Sequence, residues 1–257
     1  MLNFKNTNII FIALFILSAV YQLRYGLPVF AYVLLLLFYL SILFWGSYWV
    51  GSGFYFRIIC SANTSKKEIA ISFDDGPVPE YTPEILQLLK ENQVQAAFFC
   101  VGKRIEGNEI LFNRIHEEGH IIGNHSYSHD RWFDLFSSHK MAADLQKMNL
   151  ETKRVCGLIP RFFRPPYGVT NPPLGRAIKA GNFIPIGWSI RSLDTVRKNE
   201  KKMLRKILGS LQPGAIILFH DTSKTTLAVL PEFFKLASGA GYEIVRLDKL
   251  LKLDPYA

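Results

Sequence analysis

IAISFDDGP, residues 69–77, runs from an apolar stretch straight into two adjacent carboxylates and then a Gly-Pro pair. EIAISF (68–73) has the β-branched and aromatic content of a buried strand, and Gly76-Pro77 is turn chemistry that ends it. Asp74 and Asp75 repel each other, and no basic residue follows before Lys90. A chain that keeps such a pair at a strand end needs something outside the local sequence to compensate it.

Working outward, short apolar runs recur: AAFFCV (96–101), HIIGNH (120–125), RFFRP (161–165), FIPIGWSI (183–190), AIILFHD (215–221) and YEIVRL (242–247). Amphipathic helical patterns lie between most of them, among them PEILQLLKEN, HKMAADLQKMNLETKRV and LPEFFKLASGAG. Near-continuous apolar strands alternating with helices predict an α/β fold with a parallel sheet covered on both faces. About seven such units in this length suit a (β/α) barrel, complete or missing a segment, with a doubly wound open sheet as the alternative.

In either architecture, working side chains collect at the carboxyl ends of the strands. The unusual polar residues obey that rule: Asp74 and Asp75, His125 and His129, Arg164, Trp188 and Asp194, and His220 each follow or close a different run. On its own the H-x-x-x-H of HSYSH (125–129) is a weak signal. Two imidazoles plus one of the acids, with no cysteine in the set, suit a catalytic transition-metal site with an open position rather than a closed structural one. The other acid would then serve as a general base beside metal-activated water. An arginine such as Arg164 favours the charged form of a neighbouring carboxylate. His220, after an apolar strand, is placed to act as a general acid.

Taken together, these segments resemble the polysaccharide deacetylase family, the NodB-homology domain of carbohydrate esterase family four. SFDDGP (72–77), HSYSH, RPPYG (164–168) and ILFHD (217–221) match its first, second, third and fifth motifs in order, and the likeness runs from about Glu68 to the C-terminus. The resemblance implies a distorted (β/α) barrel and metal-dependent removal of an acyl group, usually acetyl from an N-acetylated sugar. Carried over position by position, it makes Asp74 the catalytic base and Asp75, His125 and His129 the ligands of one divalent metal ion. Zn²⁺ is the leading ion, with Co²⁺ or another transition metal as alternatives. Arg164 would tune the base, the Tyr167 amide would help hold the oxyanion, and Pro166 belongs to the same substrate-facing motif. Leu218 would wall the pocket for the acetyl methyl, and His220, charged and oriented by Asp194, would protonate the leaving nitrogen.

The fourth motif departs from the family pattern. WSIRSLDT (188–195) carries Arg191 where an aspartate is usual and Thr195 where tryptophan is usual, which leaves the acyl group and the sugar open. Trp188 is either a stacking surface for a sugar ring or a core residue. Three functional readings follow: a membrane-anchored deacetylase of an N-acetylated glycan or glycolipid; a deformylase or deacetylase of a lipid-linked sugar precursor; and a silent, membrane-tethered carbohydrate-binding barrel.

The N-terminal segment has a different character. Residues 6–23 carry no charge, and after Arg24 none appears until Arg57. Both stretches reach the roughly 18–20 apolar residues that a bilayer core requires. A secretory signal is the alternative for the first, but no small-residue cleavage site is evident. The expected organisation is a two-helix membrane anchor over 1–60 (spans about 8–23 and 28–50), a connector at 61–67 and a catalytic domain over 68–257. This places the chain in the cell membrane as a multi-pass protein. The few flanking charges lean toward a cytoplasmic domain if both helices span and reverse if one does, so the side stays open.

The formal net charge is +9, and residues 1–60 hold three cations and no acid, so the rest carries +6 (27 basic against 21 acidic residues). That balance suits an anionic membrane surface or lipid headgroup. No nucleic-acid recognition motif accompanies it, and no protein partner is predicted. VRKNEKKMLRKIL (196–208) reads as a solvated amphipathic helix, with a membrane-facing one as the alternative. Cys60, Cys100 and Cys156 are odd in number and widely spaced, implying neither a disulfide framework nor a thiolate metal site.

Overall fold

The computed structural model describes residues 2–196 and 199–257; Arg197 and Lys198, near the start of the basic run 196–208, lie outside the described residues. The chain opens with two long helices, α1 (Phe4–Tyr25) and α2 (Val29–Tyr48), both long and apolar enough to cross a membrane. They pair through Tyr39 Oη, which donates to Asn8 Oδ1 (2.8 Å), and through Phe11, whose ring meets those of Phe38 and Tyr39 at a tilt of 50°. Apart from this seam their apolar side chains are largely exposed, a surface that calls for a non-aqueous neighbour.

The remaining elements alternate as the sequence pattern predicts. In order they are β1 (Glu68–Asp74), α3 (Thr82–Glu91), β2 (Ala97–Cys100), α4 (Glu109–Glu117), β3 (Ile121–Asn124) and α5 (Ser138–Cys156). Then come β4 (Phe162–Phe163), α6 (Pro172–Ala180), β5 (Ile184–Pro185), β6 (Ile190–Arg191), α7 (Glu200–Gly209) and β7 (Ile216–His220). α8 (Lys224–Gly239), β8 (Glu243–Ile244) and α9 (Leu247–Leu251) complete the chain. The sheet is parallel, in the order β5-β4-β3-β2-β1-β7-β6, with β8 on the amino end of β1. This is a curled half-barrel, the distorted (β/α) barrel expected.

Its two faces are sorted by the strand period of two. Ile69, Ile71 and Phe73 pack outward under the helices with Phe98, Ile217 and Phe219. Ala70 points inward with Ala97, Phe99, Ile216 and Leu247, and the same inward row of β1 continues through Ser72 to Asp74. Helix boundaries follow local chemistry: Ser137 caps α5 and Gly157 ends it at φ 72°, while Asn171 caps α6 ahead of Pro172-Pro173.

One sequence expectation needs correction. FIPIGWSI does not form a single strand but two, β5 and β6, separated at Gly187. There the edge changes partner. Ile186 bridges Ile59, and the Gly187 N–H donates to the Ile59 carbonyl (2.8 Å). A Cβ on Gly187 would lie 2.7 Å from Cys60 Sγ, so glycine lets the two backbones meet. Ser61 in turn bridges Ala215, so residues 59–62 cross the gap between β5 and β7.

Candidate active site

Asp74 ends the inward row of β1 and is 3% exposed. Arg164, just past β4, is wholly buried and reaches it from across the barrel. Its Nη1 donates to Asp74 Oδ1 (2.6 Å) and Ser72 Oγ (2.8 Å), Nη2 to the Gly187 carbonyl (2.9 Å) and Nε to that of Ile186 (3.3 Å). The guanidinium also stacks 4.0 Å from the Phe99 ring centroid. Asp74 is therefore fixed in one orientation by a cation that pairs with no other acid among the described residues.

Asp75 would face the helices if the strand continued. Instead its backbone turns into the left-handed region, φ 80°, and the side chain enters the same cavity. Its Oδ1 lies 3.5 Å from His125 Nε2 and 3.2 Å from His129 Nε2. His125 Nδ1 meets the Arg164 carbonyl at 2.8 Å. A carbonyl only accepts, so Nδ1 carries a proton and Nε2 is the atom that offers a lone pair when the ring is neutral; burial opposes the charged ring, but Asp74, Asp75 and the Arg164 carbonyl outweigh it and raise this imidazole.

HSYSH is a tight loop, not a helical turn, with Ser126 at φ 67° and His129 at φ 42°. Asn124 Oδ1 accepts from the Ser126 N–H (2.8 Å), and the Asp144 carboxylate on α5 accepts from the N–H groups of Tyr127 (2.8 Å) and Ser128 (3.2 Å). These two side chains shape the loop, and sequence reading missed both. Burial pushes the His129 imidazole down to about 4, helped by the neighbouring His125, which leaves it neutral and able to lend a lone pair. Burial alone would raise Asp75; when the imidazoles are protonated, the hydrogen bond and charge of His125, with the charges of His129 and His220, bring it well below the usual carboxylate range.

On the opposite wall, His220 Nδ1 lies 2.7 Å from Asp194 Oδ1. The buried Asp194 carboxylate also accepts from Ser192 Oγ (2.8 Å), the Thr195 N–H (3.1 Å), the His220 N–H (2.7 Å) and Thr226 Oγ1. Burial opposes a charged His220, yet the hydrogen bond and charge of Asp194 outweigh it and raise the imidazole. Asp194 moves the other way, burial being overcome by His220, Thr226 and Ser192.

These groups share a cavity of about 240 Å³, lined by Asp74, Asp75, His125, His129, Tyr167, Leu218 and His220, with Trp188, Arg191 and Thr195 at its rim. Pro166 is buried in the turn that carries Tyr167, and Pro165 faces the cavity. Trp188 stands half-buried between Arg164 (5.7 Å) and Arg191 (5.6 Å). Ser72, Ser192 and Thr226 support the charged groups from behind. The signal for Ser72 was a lone hydroxyl on the inward face of an apolar strand.

The polysaccharide deacetylase family model matches residues 61–183. The chain is 31% identical over 196 residues to a peptidoglycan-N-acetylglucosamine deacetylase of Bacillus cereus, covering 73% of this chain and 90% of that one. This chain belongs to the polysaccharide deacetylase family. It is also 35% identical over 187 residues to the peptidoglycan-N-acetylglucosamine deacetylase PgdA of Listeria monocytogenes, covering 72% of this chain but 39% of that longer protein. Among solved structures, the Bc1960 peptidoglycan N-acetylglucosamine deacetylase superimposes with a TM-score of 0.73 at 30% identity, covering 78% of this chain and 95% of that one. Polysaccharide deacetylases are metal-dependent, and the Asp75, His125 and His129 donor atoms, all within 4.8 Å of one another, form a group able to hold an ion.

Proposed function

We propose that this polysaccharide deacetylase hydrolyses the acetamide of an N-acetylated sugar, working at a membrane to which α1 and α2 hold it. The observation that carries the reading is the separation of the two adjacent acids. Asp74 is tied to Arg164, whereas Asp75 faces the Nε2 atoms of two histidines. One oxygen and two nitrogen donors suit Zn²⁺ or Co²⁺, with positions left open. When bound, such a cation supplies Lewis acidity, lowering the pKa of water and polarising the acyl carbonyl.

The chain's own groups supply the rest. Asp74, oriented by Arg164 and Ser72, accepts the proton of the attacking water. The Tyr167 N–H faces the developing oxyanion. His220, kept charged by Asp194, gives its proton to the departing nitrogen so that the amine leaves neutral. Leu218 offers the acyl group an apolar wall that a methyl fills and a formyl hydrogen does not, which favours acetyl over formyl. A silent binding barrel would have no use for the charged His220–Asp194 pair. On this reading residues 1–60 anchor, 61–67 connect and 68–257 carry the chemistry, with residues 58–61 already packed against the barrel.

The test is metal analysis of the purified full chain in detergent, followed by amine release from chitooligosaccharides. Bound metal, or stimulation by added Zn²⁺ or Co²⁺, together with amine release is expected. A chain that binds neither ion and releases no amine refutes the reading.

A further inference from the structure

Beside the acidic pocket opens a second cavity of about 560 Å³, and Tyr167, Trp188 and Arg191 line both. Its far wall comes from outside the barrel: Tyr48, which ends α2, and Trp49 and Val50 just after it. Lys206 of α7 stands at its edge.

Backbone bonds hold these parts together. The last turn of a helix leaves carbonyls without intrahelical partners. Near the end of α2, the Gly46 carbonyl accepts from Thr170 Oγ1 (3.0 Å) and the Ser47 carbonyl from the Thr170 N–H (3.0 Å). Thr170 lies two residues beyond the Pro166–Gly168 turn that presents Tyr167. The reactive pocket is thus clamped to the end of a membrane-length helix, beside exposed Trp45, Tyr48 and Trp49 of the kind that sit at headgroup level.

Charge adds a second, independent indication. Arg191 and Lys206 are exposed, and neither is among the described ion pairs. Arg191 stands where the family pattern has an acid. A neutral glycan strand gives these two cations nothing to neutralise, whereas a phosphate does.

Resting on the deacetylase reading, we propose that the second cavity takes the phosphate and first hydrocarbon units of a membrane lipid that carries the sugar. The substrate class is then an N-acetylated sugar joined through phosphate to a lipid. The sugar lies in the acidic pocket against Trp188, the phosphate between Arg191 and Lys206, and the hydrocarbon passes Trp49 and Val50 toward the bilayer.

The experiment uses the full chain in lipid nanodiscs and compares acetate release from farnesyl N-acetylglucosaminyl phosphate and from chitotetraose. The phospholipid-like substrate is expected to show at least about tenfold higher kcat/KM. Arg191→Gln and Lys206→Gln should each erode that preference by about tenfold, chiefly through KM, the scale of one lost charge-assisted contact. Farnesyl phosphate should inhibit competitively, and farnesol or inorganic phosphate at equal concentration should not. Equal rates on the two substrates, a proportional loss on both in the variants, or equal inhibition by inorganic phosphate would each overturn the subsite. If neither substrate is hydrolysed, the deacetylase reading fails. Direct binding of radiolabelled farnesyl phosphate, weakened about tenfold in Lys206→Gln or unchanged by it, then still decides the cavity.

Discussion

Asp194→Asn isolates what holds the proton on His220. The carboxylate accepts five hydrogen bonds, three on Oδ1 and two on Oδ2. Asparagine keeps the shape but has one accepting oxygen and one donating nitrogen. If its oxygen faces the imidazole, its NH₂ confronts the His220 backbone N–H, which cannot rotate away. If it flips, the NH₂ faces His220 Nδ1 and forces the tautomer that cannot become a supported cation. In both arrangements burial, which lowers His220, remains, while the largest influence that raises it is gone and only the lesser charges of Asp74 and Asp75 are left. A group with a raised pKa stays protonated to higher pH, so removing the cause moves the alkaline limb of the kcat profile to lower pH. Above that limb the loss should be about 10²–10⁴-fold, the range for a positioned general acid. The same sign governs stability. The pair's contribution is complete below the unfolded histidine pKa and fades as pH rises through the folded one, so the variant's deficit is largest at mildly acid pH. The assay is amine release from chitooligosaccharide across pH, with metal content measured on each preparation. An alkaline limb that stays where it was, with metal retained, would show that Asp194 does not hold the proton.

The other substitutions separate neighbouring roles. Asp74→Asn should retain metal and lose most turnover, whereas His125→Ala should lose metal as well; equal metal loss, read by elemental analysis, would mean the two acids are assigned the wrong way round. Arg164→Met leaves the 3%-exposed Asp74 without its cation and should destabilise the chain by about 3–5 kcal/mol. Adding Asp74→Asn should recover part of that loss, and strictly additive denaturation midpoints would refute the coupling. Gly187→Ala puts a methyl 2.7 Å from Cys60 Sγ and should cost about 1–3 kcal/mol. Gly209→Ala, with nothing within 4 Å, should be neutral or stabilising in the same melt.

Much of the site was readable because the strands are buried on both faces. In such a run a polar residue at the carboxyl end stands out, which is how Asp74, His125 and His220 were found. The helices announced themselves by their amphipathic period. What could not be read depends on distant pairing. Nothing in FIPIGWSI says that its middle leaves one neighbour for the backbone of Ile59, since apolar content is the same in either arrangement. Asp144 sits in a polar helix 17 residues beyond Tyr127, where a carboxylate that shapes a loop looks like any solvated one. The part played by residues 58–62 was hidden for a similar reason: they follow two membrane-length stretches, so 58–60 read as the end of the anchor and 61–62 as the start of the connector.

The adjacent acids show why the site sits where backbone rules relax. Successive strand residues face opposite sides, so two neighbouring carboxylates reach one cavity only if one of them leaves the extended region. Asp75 does so at φ 80°, and Ser126, His129, Tyr167 and Leu193 do likewise in the other loops of the same rim. Of the eight non-glycine residues with positive φ among the described residues, Asp75, His129 and Tyr167 line the acidic pocket, Leu193 lines the adjoining cavity, and Ser126 lies in the histidine loop. Each such residue costs free energy, and the surrounding contacts must over-determine it. Those contacts are visible: Asp144 and Asn124 hold the histidine loop, Arg104 donates to the Asp75 carbonyl, and Thr170 ties the Tyr167 turn to α2. The last of these makes the end of the membrane-length helix part of the scaffold that keeps the Tyr167 turn in place, so on the proposed reading anchor and active site would share the same few hydrogen bonds.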